Sequence, residues 1–126
     1  MKIYGIGIDV INISRIKRLL KNKFFLKRVY ATSEINQCNS RKNKVSCYAS
    51  RFAAKEAFTK ALGTGFRKGL EFNDIIVTKN LNGRPSIKLS GKSKNIVKKI
   101  LKKKFNFYLS ISDDLPYSIA IVIIAL

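Results

Sequence analysis

Apolar segments lie at both ends of the chain, and polar stretches separate them from a largely apolar middle. Residues 2–13 are rich in Ile and Val. They also contain Gly5 and Gly7, which predicts a strand that bends or packs close to another backbone. Near the other end, residues 106–112 and 117–125 predict two strands joined by a polar turn.

Helical patterns occupy the segment after the first strand. Ser14 is an expected N-cap for a short helix, a second helical segment covers about 23–30, and Thr32 with Ser33 can begin a third. The polar run 36–44 predicts a loop.

The longest helix is predicted over 45–62, because this segment is rich in Ala and is followed by Gly63, where a terminating glycine belongs. A hairpin follows, with strands at 73–79 and 86–89 joined across Asn82-Gly83, a strong turn pair.

A lysine-rich helix ending near residue 104 precedes the last two strands, and no repeat or linker divides the chain. This order does not alternate strands and helices as a doubly wound parallel sheet requires. We therefore expect a single α+β domain over residues 1–126, with a largely antiparallel sheet packed against the long central helix.

The charge balance is strongly basic, with 26 Lys and Arg against 7 Asp and Glu, a net charge of +19. Such a surface attracts polyanions, including nucleic acid, anionic lipid and acidic proteins. Lys, Ile and Asn, which have A/T-rich codons, are all abundant, so compositional drift explains the excess equally well. Charge alone therefore names no partner.

The chain has no histidine, which excludes Ser-His-Asp and Cys-His catalytic sites and any histidine-containing zinc site. Cys38 and Cys47 are too few for a four-cysteine metal site. Because the start lacks the pattern of a secretion signal, we expect both to be reduced thiols in a cytoplasmic protein. The apolar stretch 117–126 is about half as long as a membrane helix, so it predicts a buried strand and no membrane partner.

Two of the few carboxylates, Asp9 and Glu56, lie in otherwise apolar segments. A buried carboxylate needs a cation, a hydrogen-bond network or a metal ion. From the residues alone, an ion pair with a neighbouring Lys or Arg is the preferred explanation for either carboxylate.

Four segments together resemble the holo-acyl-carrier-protein synthases, a family of 4′-phosphopantetheinyl transferases. The run RFAAKEAFTKALGTG, residues 51–65, resembles the central motif of the family, and residues 5–10, with Arg15 following, resemble its first motif. Residues 82–85 match its Gly-basic-Pro turn, and residues 109–122 resemble its terminal hairpin. The resemblance spans nearly the whole chain in the right order.

The resemblance implies transfer of 4′-phosphopantetheine from coenzyme A to a serine hydroxyl of apo-acyl carrier protein, a step of fatty acid biosynthesis that releases adenosine 3′,5′-bisphosphate. It implies that Asp9 and Glu56 hold Mg²⁺, which suits a reaction that depends on neutralising phosphate charge. Glu56, directly or through a metal-bound water, would accept the serine proton, and Lys60 would reach a coenzyme A phosphate. The alternative for Lys60 is an ion pair with Glu56 one helical turn away.

The family pattern also implies which residues contact the cofactor and the partner. Around the adenosine and its 3′-phosphate we expect Arg51, Lys55, Arg84 and Pro85, with Gly63 and Gly65 allowing close backbone approach. Alternatively, Arg51 and Lys55 form a solvated helix face and Gly63 only ends the helix. Acidic acyl carrier protein would dock on the basic segment 14–28, through Arg15, Arg18, Lys21, Phe25 and Arg28; an amphipathic helix with a solvated basic face is the alternative.

Two positions depart from the family pattern, since Asn12 stands where many members have Glu and Asp113 where many have His. The family is typically trimeric, with active sites at subunit boundaries. We expect no nucleic acid partner, because the lysines are scattered and the aromatic residues occupy core-like positions. A small basic nucleic-acid-binding domain and an inactive relative that only binds coenzyme A or carrier protein are the competing interpretations.

Overall fold

Two antiparallel sheets and five α-helices make up the part of the chain that the computed structural model describes, residues 1–67 and 69–126. The strands are β1 (Ile3–Asn12), β2 (Ile75–Lys79), β3 (Pro85–Leu89), β4 (Asn106–Asp114) and β5 (Tyr117–Ala125). The helices are α1 (Ile13–Leu19), α2 (Lys23–Val29), α3 (Thr32–Asn39), α4 (Lys44–Leu62) and α5 (Gly91–Leu101), and a 3₁₀ turn, Phe72–Asp74, precedes β2.

The three-stranded sheet has the order β1-β5-β4, and β2 and β3 form a separate hairpin. All pairings are antiparallel, and Asp9 of β1 lies opposite Ala120 of β5. The predicted α+β class is confirmed, as is the long helix that packs against antiparallel strands. The strands form two sheets, where the sequence predicted one.

Helix α4 is the centre of the fold, because most of its residues are buried and it packs against β1 and β5. Its small side chains, such as Ala53 and Ala57, let the sheet approach closely. A Cβ atom on Gly5 or Gly7 would overlap the carbonyl oxygens of Ala61 and Ala57. The predicted close approach of these two glycines to another backbone is therefore confirmed, and it sets β1 directly on α4.

The first helices differ in detail from the prediction. Helix α1 is capped by Asn12, whose Oδ1 accepts a hydrogen bond from the Ser14 N–H at 3.0 Å, so Ser14 is not the N-cap. Helix α3 continues to Asn39 through part of the predicted loop. Its polar residues remain helical because Cys38 and Glu34, one turn apart, are both buried against the core.

The cysteines were expected to be free, and this prediction is wrong, because Cys38 and Cys47 form a disulfide. The short connection between α3 and α4 reverses the chain and brings the two Cα atoms to 5.4 Å, although nine positions separate them in sequence. Spacing alone could not reveal this reversal. Within the described residues, no helix has both the length and the apolar character needed to cross a bilayer.

Candidate active site

Asp9 and Lys60 meet where β1 crosses α4. The Lys60 ammonium donates to Asp9 Oδ1 at 3.0 Å and to the Ile8 carbonyl oxygen at 2.9 Å. The Asp9 side chain is 16% exposed and that of Lys60 is 52% exposed, so the pair lies at the edge of the core and is open to solvent. Lys60 thus bonds to β1, and the alternative of an ion pair with Glu56 is not the arrangement in the structure.

Glu56 is half-buried one helical turn before Lys60, on the same face of α4. Burial raises the pKa of its carboxyl group, and the nearby negative charge of Asp9 raises it further. Lys60 and Arg15 oppose this shift. The structure therefore brings Asp9, Glu56 and Lys60 together, as the sequence predicted, and adds Arg15 at their border.

This pair of carboxylates has the chemistry of a magnesium site. Repulsion between two nearby carboxylates raises the pKa of one of them. A divalent cation bound between the two carboxylates removes this repulsion. The described residues contain no cluster of three or more His, Cys, Asp or Glu side chains that could hold a metal. Mg²⁺ commonly binds through one or two carboxylates together with water and substrate phosphates, so the residues present fit it.

Asn12 does not belong to this site. Besides the Ser14 N–H, its Oδ1 accepts the Ser14 hydroxyl at 2.7 Å, so the side chain is committed to the start of α1. Asp113 accepts a hydrogen bond from the Ser118 hydroxyl at 2.6 Å and lies in a different cleft, which also contains Arg51.

That cleft has a volume of about 570 Å³ and is strongly basic. Its lining includes Arg41, Arg51 and Lys79, with Asp113 among the polar residues. Burial lowers the pKa of the Lys79 ammonium, and the positive charges of Arg41 and Arg51 lower it further. Such mutual repulsion between cations favours the binding of an anion.

Arg51 is fully buried at the wall of this cleft. Its Nη2 donates to Gln37 Oε1 at 2.5 Å, and its Nη1 donates to Cys47 through the carbonyl oxygen at 3.4 Å and Sγ at 3.1 Å. Its Nε has no hydrogen-bond partner. A buried donor without an acceptor is costly, so the site is suited to a ligand that supplies one. The alternative of a solvated helix face is wrong for Arg51.

Lys55 is placed differently from both predictions, because its side chain is completely buried. The ammonium donates to Glu34 Oε1 at 2.6 Å and to the carbonyl oxygens of Phe72 and Ile75 at 2.9 and 2.7 Å. These bonds use all three of its donors. Lys55 therefore faces neither solvent nor a cofactor cleft, and the prediction that it contacts the cofactor is corrected.

The sequence did not predict that Glu34 is buried and accepts hydrogen bonds from several parts of the fold. Its second oxygen, Oε2, accepts the Val77 N–H at 3.1 Å, and Oε1 also accepts the Ala31 N–H at 3.0 Å. Burial lowers the pKa of the Lys55 ammonium to about 8, and the charge of Glu34 opposes this shift. The only sequence signal was an acidic residue in the first turn of a short helix, which is common at helix starts.

The two glycines lie at and just after the end of α4, and the hairpin residues line a separate cavity. Gly63 ends α4 with φ of 86°, and Gly65 has φ of 59°, so both need the left-handed conformation that glycine favours. Arg84 and Pro85 line a smaller cavity, of about 200 Å³, between the β2–β3 hairpin and β4. Among the described residues, its lining includes no member of the Asp9–Glu56–Lys60 group.

The residues expected to bind a partner lie along α1, α2 and their connection. Most are exposed: Arg15, Arg18, Lys21 and Arg28. Phe25 is half-buried, with its ring centroid 6.1 Å from that of Phe52. The Arg15 guanidinium lies 6.0 Å from the centre of the same Phe52 ring. Arg15 therefore connects this surface with the carboxylate pair, whose electrostatics it also affects.

The sequence and the fold are those of a known enzyme family. The family model of the 4′-phosphopantetheinyl transferase superfamily matches residues 5–121, and the chain belongs to this family.

Individual relatives agree with the family match. The chain is 53% identical over 125 residues to the holo-[acyl-carrier-protein] synthase of Pelagibacter ubique, with 98% of each chain covered. The crystal structure of the Neisseria meningitidis holo-[acyl-carrier-protein] synthase is similar, with a TM-score of 0.87 and 32% identity over 98% of this chain and 99% of that one. The Helicobacter pylori synthase, crystallised with coenzyme A, has a TM-score of 0.80 and 37% identity over 95% of this chain and 99% of that one.

Proposed function

We propose that this chain is a holo-[acyl-carrier-protein] synthase, which transfers the 4′-phosphopantetheine group of coenzyme A to a serine hydroxyl of apo-acyl carrier protein. The observation that carries the proposal is the juxtaposition of Asp9, Glu56 and Lys60 between β1 and α4, in a chain that belongs to this family. The relatives named holo-[acyl-carrier-protein] synthase, one of them crystallised with coenzyme A, support the same substrates.

In the proposed reaction the serine oxygen attacks the pyrophosphate phosphorus that carries the pantetheine arm. A new P–O bond forms to serine, the P–O bond to adenosine 3′,5′-bisphosphate breaks, and the serine proton passes to Glu56 directly or through a water. Burial and the charge of Asp9 raise the pKa of Glu56 in the metal-free protein, and a more basic carboxylate is a better proton acceptor. The Lys60 ammonium neutralises charge on the phosphate oxygens, which is the main demand of phosphoryl transfer.

Mg²⁺ is the metal that we propose for Asp9 and Glu56. When bound there, the ion supplies Lewis-acid neutralisation of the pyrophosphate and a template for its orientation. Each of the two side chains has two carboxylate oxygens, so one oxygen of Glu56 can bind the metal while the other remains an acceptor.

The other end of coenzyme A would be bound by the basic cleft and by the hairpin tip. Arg51, with its unpartnered Nε, is the residue we assign to a phosphate, and Arg84 and Pro85 to the adenosine. Arg51 and Glu56 are five residues apart on α4, which turns their side chains about 140° away from each other. In one chain, the carboxylate site and the Arg51 cleft therefore lie on different faces of α4. A complete site would combine the carboxylate site of one subunit with the Arg51 cleft of its neighbour.

A homotrimer provides such boundaries, and we propose this assembly. The outward side of β1 supports it, because Ile6, Ile8 and Val10 are 57%, 55% and 56% exposed in a row along one face. A continuous apolar strand face of this kind marks a surface that another protein covers. The carrier protein would dock on the exposed basic residues of α1 and α2, in the cytoplasm where fatty acids are made.

The direct test is the reaction itself. Purified chain is mixed with apo-acyl carrier protein and coenzyme A, with and without Mg²⁺, and the carrier is analysed by mass spectrometry. Gain of one phosphopantetheine group on the acceptor serine, dependent on Mg²⁺, is expected. Coenzyme A binding without transfer would instead indicate an inactive relative. Salt-dependent RNA retention without coenzyme A binding would indicate a nucleic-acid-binding domain.

A further inference from the structure

We propose that the Cys38–Cys47 disulfide is a redox switch that sets the affinity of the Arg51 cleft for its anionic ligand. The inference rests on the proposed function, because it takes the ligand of this cleft to be a phosphate of coenzyme A. It adds regulation by the thiol–disulfide state to that function.

The disulfide and the arginine are in direct contact. Cys47 Sγ accepts a hydrogen bond from Arg51 Nη1, and both residues line the cleft. The other terminal nitrogen of the guanidinium, Nη2, is held by Gln37, the residue just before Cys38 on α3. The disulfide therefore ties the helix that carries Gln37 to the helix that carries Arg51. The contact with Gln37 depends on this link, and the disulfide state sets the chemistry of the Cys47 sulfur that Nη1 contacts.

The two oxidation states differ in what they offer Arg51. A disulfide sulfur is uncharged and a weak acceptor, so the guanidinium stays available to an incoming phosphate. After reduction, α3 is no longer bound covalently to α4, and the Cys47 sulfur can carry a negative charge beside the guanidinium. A thiolate in that position competes with the phosphate. The oxidised form is therefore the one that binds the phosphate tightly.

Reduction is a thiol–disulfide exchange with a dithiol as the electron donor. One dithiol sulfur attacks Cys47, which is 6% exposed and faces the cleft, whereas Cys38 is fully buried. The S–S bond breaks, Cys38 leaves as a thiolate and takes a proton, and a mixed disulfide forms at Cys47. The second dithiol sulfur then displaces Cys47, which leaves two protein thiols and one disulfide on the donor. In reducing compartments, disulfides are usually transient or redox-sensing.

The experiment compares the wild-type protein after oxidised glutathione and after dithiothreitol, with the thiol state of each sample confirmed by alkylation and mass spectrometry. Calorimetry then gives the Kd for coenzyme A and for dephospho-coenzyme A, which lacks the 3′-phosphate. We expect reduction to raise the Kd for coenzyme A about tenfold, the factor of one weakened charged hydrogen bond. The Kd for dephospho-coenzyme A should change little. Equal Kd values for coenzyme A in the two states, or thiols that stay free after oxidation, overturn the switch.

A Cys38→Ser variant keeps the Cys47 sulfur but cannot form the disulfide. It should show the Kd of the reduced wild type under both conditions, and a redox response in this variant would contradict the proposal. If the variant does not fold, the wild-type comparison decides alone. Transfer activity is measured on the same samples. If the enzyme is active and its Kd for coenzyme A is the same in both redox states, the switch is refuted and the function is not. If the Kd depends on redox state but no transfer occurs, only the function is refuted.

Discussion

Lys60 and Asp9 are joined across the β1–α4 contact, with the ammonium nitrogen 3.0 Å from the carboxylate oxygen. The same ammonium also bonds to the Ile8 carbonyl, so it occupies the side of Asp9 that faces the helix. A lysine and a metal ion that share one carboxylate compete for its charge. Loss of Lys60 should therefore change metal binding and the reaction rate in opposite directions.

We predict that Lys60→Met tightens Mg²⁺ binding while it slows phosphopantetheine transfer. The first effect follows because the competing cation is lost, and the second because charge on the phosphate is no longer neutralised, which costs about 100-fold in kcat. Calorimetric titration with Mg²⁺ and the rate of carrier modification measure the two effects. Lys92→Met is the matched control, since it removes an exposed ion pair with Glu71 at 3.1 Å and should change neither quantity. A Lys60→Met enzyme with normal turnover would refute the assigned role.

The pKa of Glu56 should depend on its neighbour. Burial is the larger cause of the raised pKa of Glu56. The negative charge of Asp9 favours the protonated form of Glu56 and raises that pKa further. Replacing Asp9 with Asn removes this charge, so the pKa of Glu56 should fall. Carbon NMR of the side-chain carboxyl group across a pH titration measures the change in metal-free protein. A pKa that is unchanged in Asp9→Asn would mean that the two carboxylates do not interact.

The same shift predicts the acid side of the pH profile. Glu56 must be ionised to hold a metal ion, so protons compete with Mg²⁺ as pH falls through the pKa of Glu56 in the metal-free protein. Because that pKa is raised, calorimetric titration should show Mg²⁺ affinity falling at higher pH than an ordinary glutamate would give, and an affinity that falls only at the pH of an ordinary glutamate would contradict the prediction.

Gly7 holds β1 at the distance from α4 that the site requires. We predict that Gly7→Ala destabilises the protein by about 3 kcal/mol or more, because its methyl group would overlap the Ala57 carbonyl and force the strand away. Gly83→Ala is the control, since Gly83 has φ of 79° but no atom within 4 Å of a new Cβ, and should cost only about 1 kcal/mol. Urea unfolding compares the two variants. Similar losses from both would show that close packing of β1 on α4 is unimportant.

Lys55 and Glu34 should behave as a buried ion pair. We predict that Lys55→Met or Glu34→Leu alone reduces the free energy of unfolding by about 3–5 kcal/mol, because each leaves an uncompensated buried charge. The double variant should lose much less than the sum, since both charges are then gone. Denaturant unfolding of the four proteins completes the cycle. If Lys55→Met instead retained its stability and lost coenzyme A affinity, the original cofactor assignment of Lys55 would be right.

The sequence was informative where a residue type has few uses. Asp9 was identified because it is a carboxylate in an apolar strand. The end of α4 was predicted from a glycine after an alanine-rich helix, and the hairpin from an Asn-Gly turn. Failures arose where tertiary contacts decide. Lys55 lies within the same motif as Glu56, yet its direction depends on a carboxylate 21 residues earlier that the local pattern does not specify. The Cys38–Cys47 disulfide likewise depends on how α3 reverses into α4.

The central claim is that Asp9 and Glu56 form the catalytic site of phosphopantetheine transfer. Its most direct test is the rate at which apo-acyl carrier protein gains the group from coenzyme A in the presence of Mg²⁺, for the wild type, Asp9→Asn, Glu56→Gln and the exposed control Glu71→Gln. We predict that the first two variants react at least about 100-fold more slowly, while the control matches the wild type. Near-normal rates in Asp9→Asn and Glu56→Gln would contradict the claim.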